Sequence, residues 1–102
     1  MTGVQARLQR AIEVAALATA TEVDEILGPR RYTELVEARR LAVHLGLATG
    51  ATISQVARAL KRDRATIYHH RDLIPHLEAH SPRWNGLVAY AHTLQQLQDS
   101  HA

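Results

Sequence analysis

The chain has no cysteine, which excludes disulfides and thiolate zinc sites and gives no sign of an oxidising compartment. Long apolar runs are missing as well. Every stretch falls far short of the roughly 20 residues a membrane span requires, and no positively charged leader followed by an apolar run is present. Glycine and proline are sparse, 5 and 3 in 102 residues, so little interrupts a helix. No repeat, low-complexity run or internal linker stands out. No acid/base pair, nucleophile constellation or glycine-rich phosphate loop supports an enzyme, and no cofactor or nucleotide is expected. At 102 residues the expectation is a single domain over residues 1–102, too small to add an ATPase or a second catalytic lobe. A soluble cytoplasmic protein without a membrane partner is the default.

The chain does carry charge, unevenly placed. The formal net charge is only +2. Between Gly28 and Arg71, however, nine basic residues (Arg30, Arg31, Arg39, Arg40, Arg58, Lys61, Arg62, Arg64 and Arg71) stand against Glu34, Glu37 and Asp63, leaving +6 there and −4 over the two ends. A basic centre between mildly acidic flanks is a local footprint for a polyanion.

Hydrophobic periodicity reads as helix nearly throughout. Val4, Leu8, Ala11, Ile12, Ala15 and Ala16 recur at steps of three and four over residues 4–18. Thr21 with Asp24 resembles a capping box, and Gly28-Pro29 is a stop, which predicts a short helix over 22–27. After the loop GPRRY, a third helix is expected from about Thr33, its N-cap, to Leu47. It buries Leu35, Ala38, Ala42 and Leu45, with Arg39 and Arg40 pointing elsewhere. Thr52 and Gln55 form the Thr-x-x-Gln pair that starts a fourth helix burying Ile53, Val56 and Leu60. Lys61 and Arg62 make a turn, and Asp63 or Arg62 caps a fifth helix burying Ile67 and His70 or Leu73 and Ile74. Pro75 predicts a kink or a stop. Ser81-Pro82 opens a last helix with an apolar stripe of Trp84, Leu87, Val88, Ala91, Leu94 and Leu97. The fold class expected is all-α, a compact bundle of about six helices.

The stretch from Thr52 to Arg71, TISQVARALKRDRATIYHHR, is the most telling. Two short helices around a basic turn, with charged and small polar residues where the second begins, form the pattern of a helix-turn-helix, placed here at about 52–74. The second helix would set its first turn against base edges in the major groove. The run Val56-Ala57-Arg58-Ala59-Leu60-Lys61-Arg62-Asp63-Arg64-Ala65-Thr66-Ile67, followed by Tyr68 and His69, resembles the C-terminal DNA-binding domain of the bacterial replication initiator DnaA. That family's signature runs close to Ile-Gly-x-x-Phe, a small residue, Arg-Asp-His-Thr-Thr-Val. The upstream run Glu34 to Ala42, the basic loop and the places of helices one, two and six are similar too, so the likeness covers nearly the whole chain.

The resemblance implies a division of labour. Asp63, Arg64, Ala65 and Thr66 become the expected base-reading residues. Arg30, Arg31, Arg39, Arg40, Thr52, Lys61, Arg62, His69 and Arg71 are expected at the DNA backbone. Arg64 replaces the family's signature histidine and Ala65 the threonine after it. Arginine can bond guanine bidentately and an alanine methyl can pack on that of thymine, so altered specificity follows rather than lost binding. Glu37 stands where the family places an arginine that enters the minor groove. That anchor is then either missing or supplied by Arg39 and the Arg30-Arg31 loop. One residue is absent between helices three and four, and one in the turn before Asp63.

Plainer readings stand beside these. Arg7, Arg10 and Arg83 are read as a solvated face, Arg62 or Arg64 could pair with Asp72 or Asp63, and Trp84 and the stripe beyond it are core. His76 and His80 have the i, i+4 spacing of metal ligands but no third partner and no HExxH, so no metal is expected. The leading expectation is a stand-alone, nucleoid-associated reader of double-stranded DNA, monomeric or weakly dimeric. It would act by site occupancy in replication or transcription control, in a host, a phage or a mobile element. The alternative is a protein-interaction module that keeps the fold without the specificity.

Overall fold

A computed structural model describes residues 3–100. Six helices follow in order: α1 (Val4–Thr19), α2 (Val23–Leu27), α3 (Thr33–Ala48), α4 (Ile53–Leu60), α5 (Arg64–His80) and α6 (Pro82–Ser100), with no strand among the described residues. The all-α expectation is met. Among the described residues no helix is long and apolar enough to cross a membrane.

The local chemistry of the helix ends explains most boundaries. α1 stops at Ala20, which turns left-handed (φ 55°) so that its amide and that of Thr21 close on Leu17 and Ala16 carbonyls, satisfying acceptors the helix leaves open. α2 has a capping box one residue later than the sequence suggests. Glu22 caps and Glu25 returns its carboxylate to the Glu22 amide at 3.0 Å, while the Thr21 hydroxyl pairs with that of Thr19. α3 starts behind Tyr32 with no side-chain cap, so Thr33 is the first helical residue and not the N-cap. Ser81 Oγ accepts the Trp84 amide at 3.1 Å and Pro82 opens α6, as expected of a proline whose missing N–H has no helical partner in any case.

α3 is the centre of the bundle. It packs against α1, α2, α4 and α5 and buries Leu35, Ala38, Leu41, Ala42, Val43 and Leu45 on several sides. A Cβ at Gly46 would lie 3.0 Å from Leu8 and 3.4 Å from Val56, so the missing side chain lets α1 and α4 pack tightly on α3. α6 covers α1 with Trp84 and Ala91, and Trp84 meets the His44 ring edge-on at 5.9 Å. The expected stripe ends early, because Leu97 is 54% exposed.

Two further expectations change. Pro75 does not stop α5, which continues to His80. The carbonyl that loses its partner belongs to Arg71, on the exposed side, while Ile74 and Leu77 hold the next turn against the core. Water can take an orphan acceptor there, so the helix survives its proline. Arg39 does not point away from the core. It is 4% exposed. Its Nε donates to the Ile26 carbonyl at 2.8 Å and its Nη2 to Glu25 and Gly28 carbonyls at 3.0 and 2.9 Å. A buried guanidinium is tolerable only with such acceptors. Burial, then the cations Arg62 and Arg31, pull its pKa below the ordinary arginine value.

Replacing Arg39 with alanine removes three hydrogen bonds from a charged donor and leaves a void where its buried stem packs, and is expected to destabilise the fold by about 3 kcal/mol. Arg31→Ala, on the exposed loop, should cost under about 0.5 kcal/mol. Urea unfolding measures both, and similar small losses would contradict the structural role of Arg39.

Candidate nucleic-acid interface

α4 and α5 are joined by three residues. Thr52 begins α4 with the expected reciprocal cap, its hydroxyl accepting the Gln55 amide at 3.1 Å and its amide donating to the Gln55 side chain at 2.8 Å. α4 ends at Lys61, a non-glycine residue in the left-handed region (φ 56°), and the Arg62 amide closes on Ala57 at 3.0 Å. Asp63 then caps α5, accepting the Thr66 amide at 2.8 Å. The hydrogen bonds from Thr66 hold the Asp63 carboxyl below its ordinary pKa, so it is ionised at neutral pH, with one oxygen engaged in the cap.

This pair of ends decides what α5 presents. Ile67 is fully buried and His70 is 5% exposed, which turns the other side of the first two turns outward. Arg64, Ala65, Tyr68 and His69 are all exposed, and their spacing puts them on one face. Arg64 rests near Ser54 of α4, at 3.5 Å. Arg71 lies 4.7 Å over the Tyr68 ring and pairs with Asp72 at 2.8 Å.

The other sequence-picked residues divide. Arg30, Arg31 and Lys61 are exposed, and none is ion-paired among the described residues. Arg39, expected at the DNA backbone, is instead committed to the carbonyls at the end of α2. Arg62 joins it, its Nη2 donating to the Gly28 carbonyl and its Nη1 to that of Lys61 at 3.2 Å. Both were taken for surface cations because a charged residue on a helix or in a turn ordinarily faces water, and their acceptors are backbone atoms that a sequence pattern does not reveal. Arg40 is half-buried, and its buried Nε has no hydrogen-bond partner among the described residues. Desolvation lowers its pKa, against which Glu37 acts to raise it.

Glu37 also differs from expectation. Arg83 of α6 grips its carboxylate with two bonds, of 3.1 and 2.8 Å. The negative charge that stood against the basic centre is thus neutralised from another helix, and Arg83 is not merely solvated. Arg10 likewise pairs with Asp99 at 3.0 Å. Sequence reasoning gave no role to Arg58, Ser54 or Tyr68, although all three are exposed beside the turn or along the α5 face. The four-residue step from Arg64 to Tyr68 was the available signal. Among the described residues no group of three or more His, Asp or Glu side chains converges as metal ligands do.

Between the 29–31 loop, α3 and α5 lies a groove of about 400 Å³, lined by Pro29, Arg31, Val36, Arg39, Arg62, Thr66, His69 and His70. Burial first, then the charges of Arg40, His69, Arg39 and Arg62, lower the His70 pKa from 6.5 to about 4. Comparison of the chain with protein-family models, curated proteins and solved structures gives no match.

His70 is neutral in the folded chain at neutral pH, and the unfolded chain takes up its proton first as pH falls. Stability from this group is therefore whole above about pH 6.5 and lost progressively down to about pH 4, by at most about 3 kcal/mol. Unfolding measured across that window should show the loss, and His70→Gln should flatten it; an unchanged slope in the variant would refute the assignment. Separately, Asp63→Ala should cost about 1 kcal/mol as a lost helix cap, read by urea denaturation.

Proposed function

We propose that α4, its turn and α5 are a helix-turn-helix that binds double-stranded DNA at a preferred sequence. The observation carrying this reading is the exposed face of Arg64, Ala65, Tyr68 and His69, held outward by the Asp63 cap and by buried Ile67 and His70. In this reading Arg64 and Ala65 meet base edges in the major groove, with Thr66 beside them. The free oxygen of Asp63 accepts from a cytosine amino group. Arg30, Arg31, Arg58, Lys61 and His69 neutralise phosphates, which sets register without reading sequence. Arg39 and Arg62 leave the list of phosphate contacts and become the supports of the loop that carries Arg30 and Arg31.

The resemblance to the DnaA C-terminal domain favours the same assignment, with a changed target through Arg64 and Ala65. Pairing of Glu37 with Arg83 removes a repulsive carboxylate from the account. The action proposed is occupancy of a site in replication or transcription control.

Selection of duplexes from a random-sequence library tests the proposal. An enriched motif is expected, with Arg64→Ala blurring one position at a cost of about 1–3 kcal/mol. Affinity should fall with salt at a log–log slope of about −5 if five or six phosphates are contacted. No enrichment, with binding uniformly lost in salt, would refute sequence reading and favour an interaction module.

A further inference from the structure

The groove between the 29–31 loop, α3 and α5 gathers cations without a carboxylate. Arg31, Arg39 and Arg62 line it together with Thr66, His69 and His70, and no acidic side chain does. One buried polar atom is left over there. Arg39 is 4% exposed, and its Nε and Nη2 bond backbone carbonyls. His70 is 5% exposed and its buried Nδ1 has no hydrogen-bond partner among the described residues. Buried polar atoms are ordinarily bonded, and an exception calls for a missing partner. The carbonyls that take up most of Arg39 and Arg62 supply bonds but no net negative charge. What the lining lacks is a counter-charge for its three arginines, and an anionic acceptor would supply it.

We propose that this groove is a binding site for a phosphate group. A tetrahedral oxyanion offers several acceptor oxygens at once and fits the space of about 400 Å³ with water to spare. Arg31, on the exposed loop, supplies the guanidinium that bonds it, Arg39 and Arg62, held by backbone carbonyls, lend positive charge from the floor, and the Thr66 hydroxyl and His69 bond it from α5. Guanidinium is suited to this, since its planar donors match phosphate oxygens in pairs. A phosphodiester of a DNA strand and a free phosphate present the same oxygens, and the experiment separates these sources. The site does not depend on the DNA-binding reading, although a diester source would extend it.

The test is a titration of the intact chain with inorganic phosphate at neutral pH, against chloride at matched ionic strength. It is followed by nuclear magnetic resonance at the Thr66 amide, the His70 ring and the Arg39 guanidinium. Saturable shifts confined to the groove are expected with phosphate alone. Arg31→Ala should weaken binding about tenfold, as loss of one charge-assisted contact does. Arg10→Ala, a cation of α1 outside the groove, should leave it unchanged. Shifts that track ionic strength, that centre elsewhere, or that weaken equally in Arg10→Ala would overturn the site. A short duplex that displaces the phosphate identifies the diester source, whereas a duplex that leaves it bound identifies a free phosphate. Duplex binding with no groove response to phosphate either would sink this site and leave the proposed function standing. Phosphate saturation without duplex binding would do the reverse.

Discussion

The arrangement depends on a buried guanidinium. Arg39 lies inside α3 and reaches back to the carbonyls of Glu25, Ile26 and Gly28, the acceptors that a helix as short as α2 leaves open at its end. Arg62, from the turn between α4 and α5, arrives at the same carbonyl of Gly28. Two like charges therefore share one acceptor cluster. The Arg39 pKa is lowered by desolvation first and by the charges of Arg62 and Arg31 second, so burial disfavours this cation more than its neighbours do. Through this junction α2, α3 and the start of α5 are joined, and the 29–31 loop between them is held beside α5.

That junction changes how the charge of the chain should be counted. The +6 of the central segment is not a surface quantity, because Arg39 and Arg62 face carbonyls and Arg40 is half-buried. The cations left outward are those of the loop, Arg58, Lys61 and Arg64, with Arg71 outward too but paired with Asp72. On the acidic side, Glu37 is cancelled by Arg83. The outward field is thus narrower than the composition implies, and it centres on the turn and the face of α5. A field of that kind steers a polyanion towards one side of the molecule.

The helices were legible because their causes are local. Apolar periodicity marked α1 and α3, while Thr52-Gln55, Asp63 and Ser81-Pro82 marked starts that use side chains within three residues. What was not legible has distant or backbone causes. The two candidate caps of α2 differ by one residue, and only the geometry selects Glu22 and Glu25 over Thr21 and Asp24. Pro75 stays inside α5 because its neighbours on the buried side continue to pack. Arg39 and Glu37 find partners 11 to 14 and 46 positions away, separations that no local pattern encodes. Of the proposed interface, the exposed start of α5 could be read in advance, but the groove beside it could not, since its floor consists of a residue that helical spacing assigned to the surface.

Lys61 ends α4 in a conformation usually given to glycine, and for an L side chain this costs roughly 1–2 kcal/mol. A structural compensation exists, because a cation at the carbonyl end of a helix is favourable by about 0.3–1 kcal/mol. On these magnitudes the two terms nearly cancel at best, so helix termination alone does not favour lysine over glycine. Ala20 ends α1 in the same left-handed conformation with only a methyl group, so the strain by itself assigns no role to the side chain. Lysine does differ from glycine and alanine in placing an exposed ammonium in the turn, two residues before the Asp63 cap, and it thereby extends the cationic face onto the turn that the proposed recognition helix presents to DNA.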